Sequence, residues 1–229
     1  MKKHYPWLWF DADGTLFDYS GAEGTALERT FQALDLPFDE MVLATYRPIN
    51  RQLWQALERD EITPAFLQLR RFELLFEALQ LTESPKEFGD LFLEHLGQCS
   101  ELLDGAYEVL AKLHTTSRIA IVTNGFEVVQ RNRLARSPIG KFITEVIVSE
   151  QVGAAKPKAA FFEAASARTG FPAKQDVLII GDSLASDMRG GVDYGLDTCW
   201  FNPAGATRPE DLAITYEIGE LRELLGLVG

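Results

Sequence analysis

Two aspartates stand one residue apart near the start of the chain, directly after a short apolar run. The run covers residues 8–10, and the segment DADGT follows it at residues 11–15. Carboxylates at alternate positions suit a hard cation such as Mg²⁺, which prefers oxygen ligands. The same pair can divide a covalent reaction, with one carboxylate as an ionised nucleophile and the other as an acid and then a base. A turn or a helix cap with polar decoration is the simpler interpretation of this segment alone.

Three further polar motifs follow apolar, β-branched runs. They are TNG at 123–125 after IAIV, KP at 156–157 beyond ITEVIVS, and GDSLASD at 181–187 after VLII. The Thr123 hydroxyl and the N–H groups after it can hold phosphate oxygens at a helix start, and Lys156 can neutralise a phosphate. Each motif alone also fits an ordinary cap or an exposed lysine. Because ligands bind at the carboxyl ends of parallel strands, the convergence of four motifs favours a functional site.

The elements that must position these motifs alternate between strands and helices. The expected strands are IAIVT at 119–123, ITEVIVS at 143–149, VLIIGD at 177–182 and DTCWFN at 197–202. The expected helices between them cover about 126–135, 159–168 and 186–194. Runs that are apolar on both faces are typical of parallel strands covered by helices. The pattern predicts an α/β fold with a doubly wound, mostly parallel sheet.

The segment from residue 19 to residue 98 has a different pattern. It contains almost no β-branched runs, and stretches such as ALERTFQAL and FLQLRRFELLFEAL have helical periodicity. Prolines at positions 37, 64 and 85 suit helix starts or loops. We therefore predict an all-helical cap domain over residues 19–98, inserted into an α/β core domain formed by residues 1–18 and 99–229.

Composition narrows the classes of function. The 229 residues carry a formal net charge of −12, so polymeric nucleic acid is not an expected partner. Two cysteines and three histidines offer no disulfide framework, no thiolate metal site and no histidine-based triad. The chain lacks the glycine-rich motifs of P-loop and dinucleotide-binding proteins. No run resembles a signal peptide or a membrane span, so we predict a cytoplasmic protein with no membrane partner.

In their order and placement the four motifs resemble the signatures of the haloacid dehalogenase-like superfamily of hydrolases. The resemblance covers the whole predicted core, and the helical insertion resembles the smaller cap type of that superfamily. It implies a Rossmann-like core and Mg²⁺-dependent hydrolysis of phosphate monoesters. Dehalogenases of the superfamily attack carbon and need no acid for a leaving oxygen, so the presence of Asp13 favours a phosphatase.

The resemblance also implies a role for each motif residue. Asp11 would form an aspartyl-phosphate and bind Mg²⁺, and Asp13 would act as acid and base and bind the metal through its backbone carbonyl. The remaining implied roles are phosphoryl binding by Thr123 and Asn124, a bridge from Lys156 to the phosphoryl group and Asp11, metal binding by Asp182, and orientation of a metal-bound water by Asp187.

The amino-acid sequences of several segments are most similar to those of the bacterial pyrimidine 5′-nucleotidase branch of the superfamily. These segments include WFDADGTLFDY, RPINRQLW and VSEQVGAAKP. The similarity implies nucleoside monophosphates as substrates, and Asn50, Trp54 and Arg71 become candidates to contact the base or sugar. Helix packing for Trp54 and surface charge for Arg71 are the alternatives. Phosphoglycolate or sugar phosphates as substrates, phosphomutase chemistry and a non-catalytic binding role also stay open, as does the oligomeric state.

Overall fold

The computed structural model describes residues 2–229 and contains a six-stranded sheet in which every neighbouring pair is parallel. The strands are β1 Trp7–Phe10, β2 Arg118–Thr123, β3 Glu145–Val148, β4 Val177–Gly181, β5 Asp197–Phe201 and β6 Tyr216–Ile218, in the order β3-β2-β1-β4-β5-β6. The α-helices are α1 Tyr19–Ala33, α2 Glu40–Glu58, α3 Pro64–Leu79, α4 Pro85–Gln98, α5 Ala106–Leu113, α6 Glu127–Arg136, α7 Ser149–Val152, α8 Ala159–Arg168, α9 Arg189–Tyr194 and α10 Leu224–Leu227. The predicted doubly wound α/β fold is confirmed.

Strand β1 lies at the centre of the sheet because it is apolar on both faces. Leu8 and Phe10 belong to the hydrophobic cluster on one face, and Trp7 and Trp9 belong to the cluster on the other. This alternation is the period-2 pattern of a strand. Layers of helices cover both faces, so each face of β1 is removed from water. The sheet therefore fixes the position at which β1 ends and the DADGT segment begins.

Two details of the fold differ from the sequence-based prediction, one in a strand and one in a helix. Strand β6 was not predicted, because three residues with one exposed glutamate carry too little apolar pattern to mark a strand. The helix expected to start at Ser186 begins earlier, as a π-helical turn over Leu184–Met188 that continues into α9. A π-helical turn widens the backbone by one residue relative to an α-helix, and such turns are frequent at functional sites. This one carries Asp187.

Helices α1 to α4 lie between β1 and β2 and pack around a hydrophobic cluster rich in aromatic rings. The ring of Phe72 lies 5.0 Å from that of Phe88 and 5.2 Å from that of Phe92. Thr63 and Ser84 cap the starts of α3 and α4, where prolines occupy the first helical turn as predicted. These helices span residues 19–98. Their division from the core as a separate domain stays a prediction, since α4 also packs closely on α6.

Within residues 2–229, none of the helices combines the length and the apolar character that crossing a membrane requires.

Candidate active site

The Lys156 ammonium group lies at the centre of the site formed at the carboxyl edge of the sheet. Its Nζ donates to Asp11 Oδ1 at 2.6 Å, to Asp187 Oδ1 at 2.5 Å and to the backbone carbonyl of Val122 at 2.7 Å. The lysine is only 1% exposed. Three acceptors satisfy its three N–H bonds, which makes the burial of a charged lysine tolerable. The sequence-based alternative of an ordinary exposed lysine is wrong.

Three carboxylates form an acidic cluster beside this lysine. One oxygen from each of Asp11, Asp182 and Asp187 lies within 4.8 Å of the others. An all-oxygen donor set of this kind fits Mg²⁺ and other hard divalent cations. Asp187, which the resemblance placed outside the metal ligands, lies in the same cluster as two predicted ligands. The Asp13 carboxylate is not part of the cluster.

The close approach of the carboxylates depends on Gly14. Its φ of +81° is in the left-handed region, and a Cβ atom at this position would lie 2.7 Å from Asp182 Oδ2. Thr15 then donates its hydroxyl hydrogen to Asp182 Oδ1 at 3.3 Å. A glycine is therefore required here both for the backbone conformation and for the space that Asp182 occupies.

The electrostatics of the cluster favour binding of a cation. Burial, together with the charges of Asp187 and Asp182, raises the pKa of Asp11 well above its ordinary value, although Lys156 opposes the shift. Desolvation and then the charge of Asp187 raise the pKa of Asp182 to about 7, although Asp182 is the exposed member of the cluster. Burial lowers the pKa of Lys156, but the charges of Asp11 and Asp187 outweigh it and raise that pKa. Three carboxylates thus share one ammonium group, and a divalent cation would balance the excess negative charge.

Asp13 has different neighbours from Asp11. Both of its carboxylate oxygens accept hydrogen bonds from helix α6: Gln130 Nε2 donates to Oδ2 at 2.6 Å, and Arg133 Nη1 forms an ion pair with Oδ1. Gln130 and Arg133 are fully buried. Sequence reasoning missed both residues. Their spacing of three places them on one face of a helix, but only the packing of α6 against residues 11–17 shows that this face is directed at Asp13.

Thr123 and Asn124 lie beside the acidic cluster, as predicted. The Thr123 hydroxyl accepts the N–H of Gly125 at 3.0 Å. The Asn124 side chain pairs with the backbone of Lys156, donating to its carbonyl and accepting its N–H, both at 2.9 Å. The amide therefore fixes the lysine segment against β2. The role of Thr123 and Asn124 in phosphoryl binding stays a prediction. Because the side-chain amide of Asn124 is paired with the Lys156 backbone, its backbone N–H is the group that would bind the phosphoryl oxygen.

The site opens into a cleft of about 180 Å³ between the sheet edge and the helical insertion. Tyr19, Trp54 and Glu58 line the side of the cleft that faces the insertion. Trp54 was predicted as a substrate-contacting residue, whereas Tyr19 and Glu58 were not. Burial raises the pKa of the Glu58 carboxyl, and its Oε1 accepts from Ser183 Oγ at 3.4 Å. Nothing in the helical pattern of α2 distinguishes Glu58 from its exposed neighbours.

The two other predicted substrate residues, Asn50 and Arg71, do not line this cleft. Asn50 donates to Glu23 Oε1 at 2.8 Å and to the Tyr19 hydroxyl at 3.1 Å. Arg71 is fully buried, and its guanidinium lies over the rings of Phe72, Phe92 and Phe126. The alternative of a surface charge for Arg71 is therefore wrong. Both residues lie one layer behind the cleft. Asn50 connects to it through Tyr19, and Arg71 Nη1 donates to Asn50 Oδ1 at 3.4 Å.

Glu23 gives this buried network a pH dependence. Desolvation raises the pKa of its carboxyl, although Asn50 and Arg47 oppose the shift. A raised pKa means that the folded state holds a proton that the unfolded chain has already lost, so stability falls as pH rises through that interval. We expect the melting temperature of Glu23→Gln to rise relative to the wild type between pH 4.5 and pH 7. An unchanged difference across this range, measured by thermal unfolding, would contradict the assignment.

A parallel α/β sheet with a helical insertion after its central strand, and with a lysine and an acidic cluster at its carboxyl edge, defines a class of hydrolases. The model of the haloacid dehalogenase-like hydrolases matches residues 7–195. The chain belongs to this family, which confirms the resemblance seen in its motifs.

Comparison with individual proteins supports the same assignment. The chain is 34% identical over 220 residues to the pyrimidine 5′-nucleotidase YjjG of Escherichia coli (strain K12), covering 96% of each chain. It is 32% identical over 222 residues to the pyrimidine 5′-nucleotidase PynA of Streptococcus pneumoniae (strain ATCC BAA-255 / R6), covering 96% of this chain and 94% of its relative. The crystal structure of the HAD-hydrolase YfnB of Bacillus subtilis bound to magnesium superposes with a TM-score of 0.92 at 33% identity over 98% of each chain.

Proposed function

We propose that this hydrolase is a Mg²⁺-dependent phosphomonoesterase that acts through an aspartyl-phosphate on Asp11, with nucleoside 5′-monophosphates, pyrimidine ones above all, as substrates. The observation that carries the proposal is the Asp11 carboxylate at the end of β1, paired with a buried lysine at 2.6 Å and clustered with two further aspartates. The magnesium bound to the structurally similar YfnB supports the choice of cation.

The first chemical step forms a bond between an Asp11 oxygen and phosphorus and breaks the ester bond to the leaving oxygen. Asp13 gives that oxygen a proton, so a neutral alcohol leaves. Lys156 neutralises negative charge next to the attacked phosphoryl group, and the N–H groups after Thr123 receive its oxygens. Asp11, Asp182 and Asp187 would hold Mg²⁺, which supplies further charge neutralisation when bound.

The second step returns Asp11 to its free form. Asp13, now ionised, takes a proton from a water molecule as that water attacks phosphorus. The bond between Asp11 and phosphorus breaks, and inorganic phosphate leaves. Two carboxylates are required because one must stay attached to phosphorus while the other moves the proton.

The lining of the cleft supports a nucleotide over phosphoglycolate. Tyr19 and Trp54 offer aromatic surfaces to a flat leaving group. Glu58 places a carboxylate on the same side, and the cleft-lining residues include Lys156 as their one cation. A leaving group with its own carboxylate would meet a like charge there. The pyrimidine 5′-nucleotidase relatives, similar over nearly the whole chain, support the same substrate class.

The proposal is tested by phosphate release from a panel of monoesters in the presence of Mg²⁺ and of EDTA. The panel contains UMP, CMP, AMP, phosphoglycolate, glyceraldehyde 3-phosphate and a hexose phosphate. We expect turnover with Mg²⁺, highest for the pyrimidine nucleotides, and its loss in EDTA. Mg²⁺ should also stabilise the fold, by about 2.7 kcal/mol at a concentration 100 times its Kd. No turnover of any substrate with Mg²⁺ would refute the proposal.

Phosphomutase chemistry and a substrate other than a nucleotide give different results in the same experiment. When the panel is run in isotope-labelled water, hydrolysis transfers the label to the released phosphate. A mutase would return the phosphoryl group to a second hydroxyl, so the label would not enter phosphate. A preference for phosphoglycolate or the hexose phosphate would keep the phosphatase mechanism and replace the nucleotide as substrate.

A further inference from the structure

The carboxylate of Asp13 is held from one side by two buried side chains of α6. Gln130 and Arg133 each donate to one of its oxygens, and neither donor is exposed to solvent. The same carboxylate lies next to the segment that follows β2, because a Cβ atom placed on Gly125 would lie 2.9 Å from Asp13 Oδ2. The pair of donors therefore determines where the Asp13 carboxylate stands relative to that segment.

Stability alone does not account for this arrangement. Among residues 2–229, Arg133 Nη2 and Gln130 Oε1 are buried without a hydrogen-bond partner. Such atoms carry a desolvation cost, and a buried ion pair is often no better for stability than apolar residues of similar volume. The Asp13 side chain is 24% exposed, so water in the cleft can solvate it without a buried arginine. The arrangement fixes the direction of a carboxylate at a cost in stability.

The position of Arg133 is itself fixed from several sides. Its Nε donates to the backbone carbonyl of Leu96 at 3.3 Å, in the last turn of α4. Its guanidinium lies over the ring of Phe17, with 5.6 Å between the guanidinium carbon and the ring centroid. The helical insertion and the segment after DADGT thus both hold the guanidinium, which leaves Arg133 little freedom to follow a moving Asp13.

We propose that Arg133 and Gln130 are positioning residues that hold Asp13 in the place from which it transfers protons. This inference rests on the proposed function, in which Asp13 is the acid and base. Removing either donor frees the Asp13 carboxylate to rotate away, while Asp11, Lys156 and the acidic cluster keep their contacts. Proton transfer then slows, whereas attack by Asp11 does not.

The leaving group separates these two effects. The 5′-hydroxyl of a nucleoside is a strong base as an alkoxide and needs a proton to leave. p-Nitrophenolate leaves with the electron pair of the broken bond and needs none. With p-nitrophenyl phosphate the first step therefore survives loss of Asp13 positioning, but hydrolysis of the aspartyl-phosphate slows because water still has to lose a proton.

The test compares wild-type protein, Arg133→Met and Gln130→Met with Mg²⁺ present, by rapid mixing with p-nitrophenyl phosphate and by steady-state assay with UMP. Both variants should lower kcat for UMP about 100-fold, with KM changed far less. With p-nitrophenyl phosphate they should release close to one p-nitrophenol per protein in a rapid burst and then turn over slowly. Arg133→Lys should recover part of the loss.

Arg131→Met is the matched control, because Arg131 lies on the same helix, is exposed and pairs at 2.6 Å with Glu127. It should keep wild-type kinetics. Melting temperatures show whether each variant folds. If Arg133→Met does not fold, the comparison of wild type with Gln130→Met decides the test. Equal slowing of the burst and of steady-state turnover in a folded variant, or wild-type rates for both substrates, would overturn the positioning role. A wild-type protein that hydrolyses neither substrate would overturn the proposed function and this inference with it.

Discussion

The Asp11→Asn variant is expected to lose hydrolysis of every phosphate ester that the wild type turns over, with kcat falling roughly 10⁴- to 10⁶-fold, as when a covalent nucleophile is removed. An amide oxygen is a poor nucleophile and forms no stable bond to phosphorus under these conditions. The measurement is phosphate release with UMP and Mg²⁺. Mass spectrometry of acid-quenched protein should find one added phosphoryl group in the wild type and none in the variant.

This loss should not come from unfolding. Burial and two neighbouring aspartates raise the pKa of Asp11, so the negative charge of its ionised form destabilises the folded state. The amide removes that repulsion, and Lys156 keeps Asp187 as a partner at 2.5 Å. We expect the melting temperature of the variant without metal to equal or exceed that of the wild type. A folded Asp11→Asn protein with more than a few per cent of wild-type turnover would refute the role of Asp11 as nucleophile.

The Lys156→Met variant is expected to lose both activity and stability. Without the ammonium group, Asp11 and Asp187 become buried carboxylates with no cationic partner, and breaking a buried ion pair in this way costs about 3–5 kcal/mol. The free energy of unfolding should be measured by urea denaturation in EDTA. Because Mg²⁺ would bind the same carboxylates, adding it should recover part of the lost stability. It should not recover the lost activity, because the positive charge that Lys156 places next to the phosphoryl group is still missing.

Lys158→Met provides the matched control for this variant. Lys158 lies two residues away, is 42% exposed, and pairs with Asp60 on the surface. An exposed ion pair contributes at most about 1 kcal/mol, so Lys158→Met should remain close to wild type in stability. Equal losses of stability in the two lysine variants would show that the contacts of Lys156 do not support the fold as described.

The sequence predicted the parallel sheet and the positions of the site motifs because both follow from local pattern. Strand β1 is apolar at every position, and its neighbours carry the same signature, which only helices on both faces can bury. Once the strands are parallel, their carboxyl ends meet at one edge. It can therefore be predicted, without knowledge of the detailed packing, that this edge brings together Asp11, Lys156 and Asp182.

The sequence could not predict which side chains outside the motifs reach that edge. Gln130 and Arg133 read as ordinary polar positions of a helix, and Glu58 reads as one acidic residue among several near the end of α2. Their contacts depend on how α6 and α2 are rotated against the core, and rotation follows from packing over residues distant in sequence. For the same reason Asn50 and Arg71, chosen from their chemistry, lie one layer behind the cleft.

Sequence alone therefore determined the family, the order of the four motifs and the edge of the sheet at which they meet, because strand periodicity and polypeptide chirality leave few alternatives. Tertiary structure alone decided the partners of each carboxylate. Asp11 lies against a buried lysine, and Asp13, two residues along the chain, lies against a buried arginine and glutamine. Residues two apart point to the same face of a straight strand, but the chain bends at Ala12, between the two aspartates, so they meet different elements of the fold.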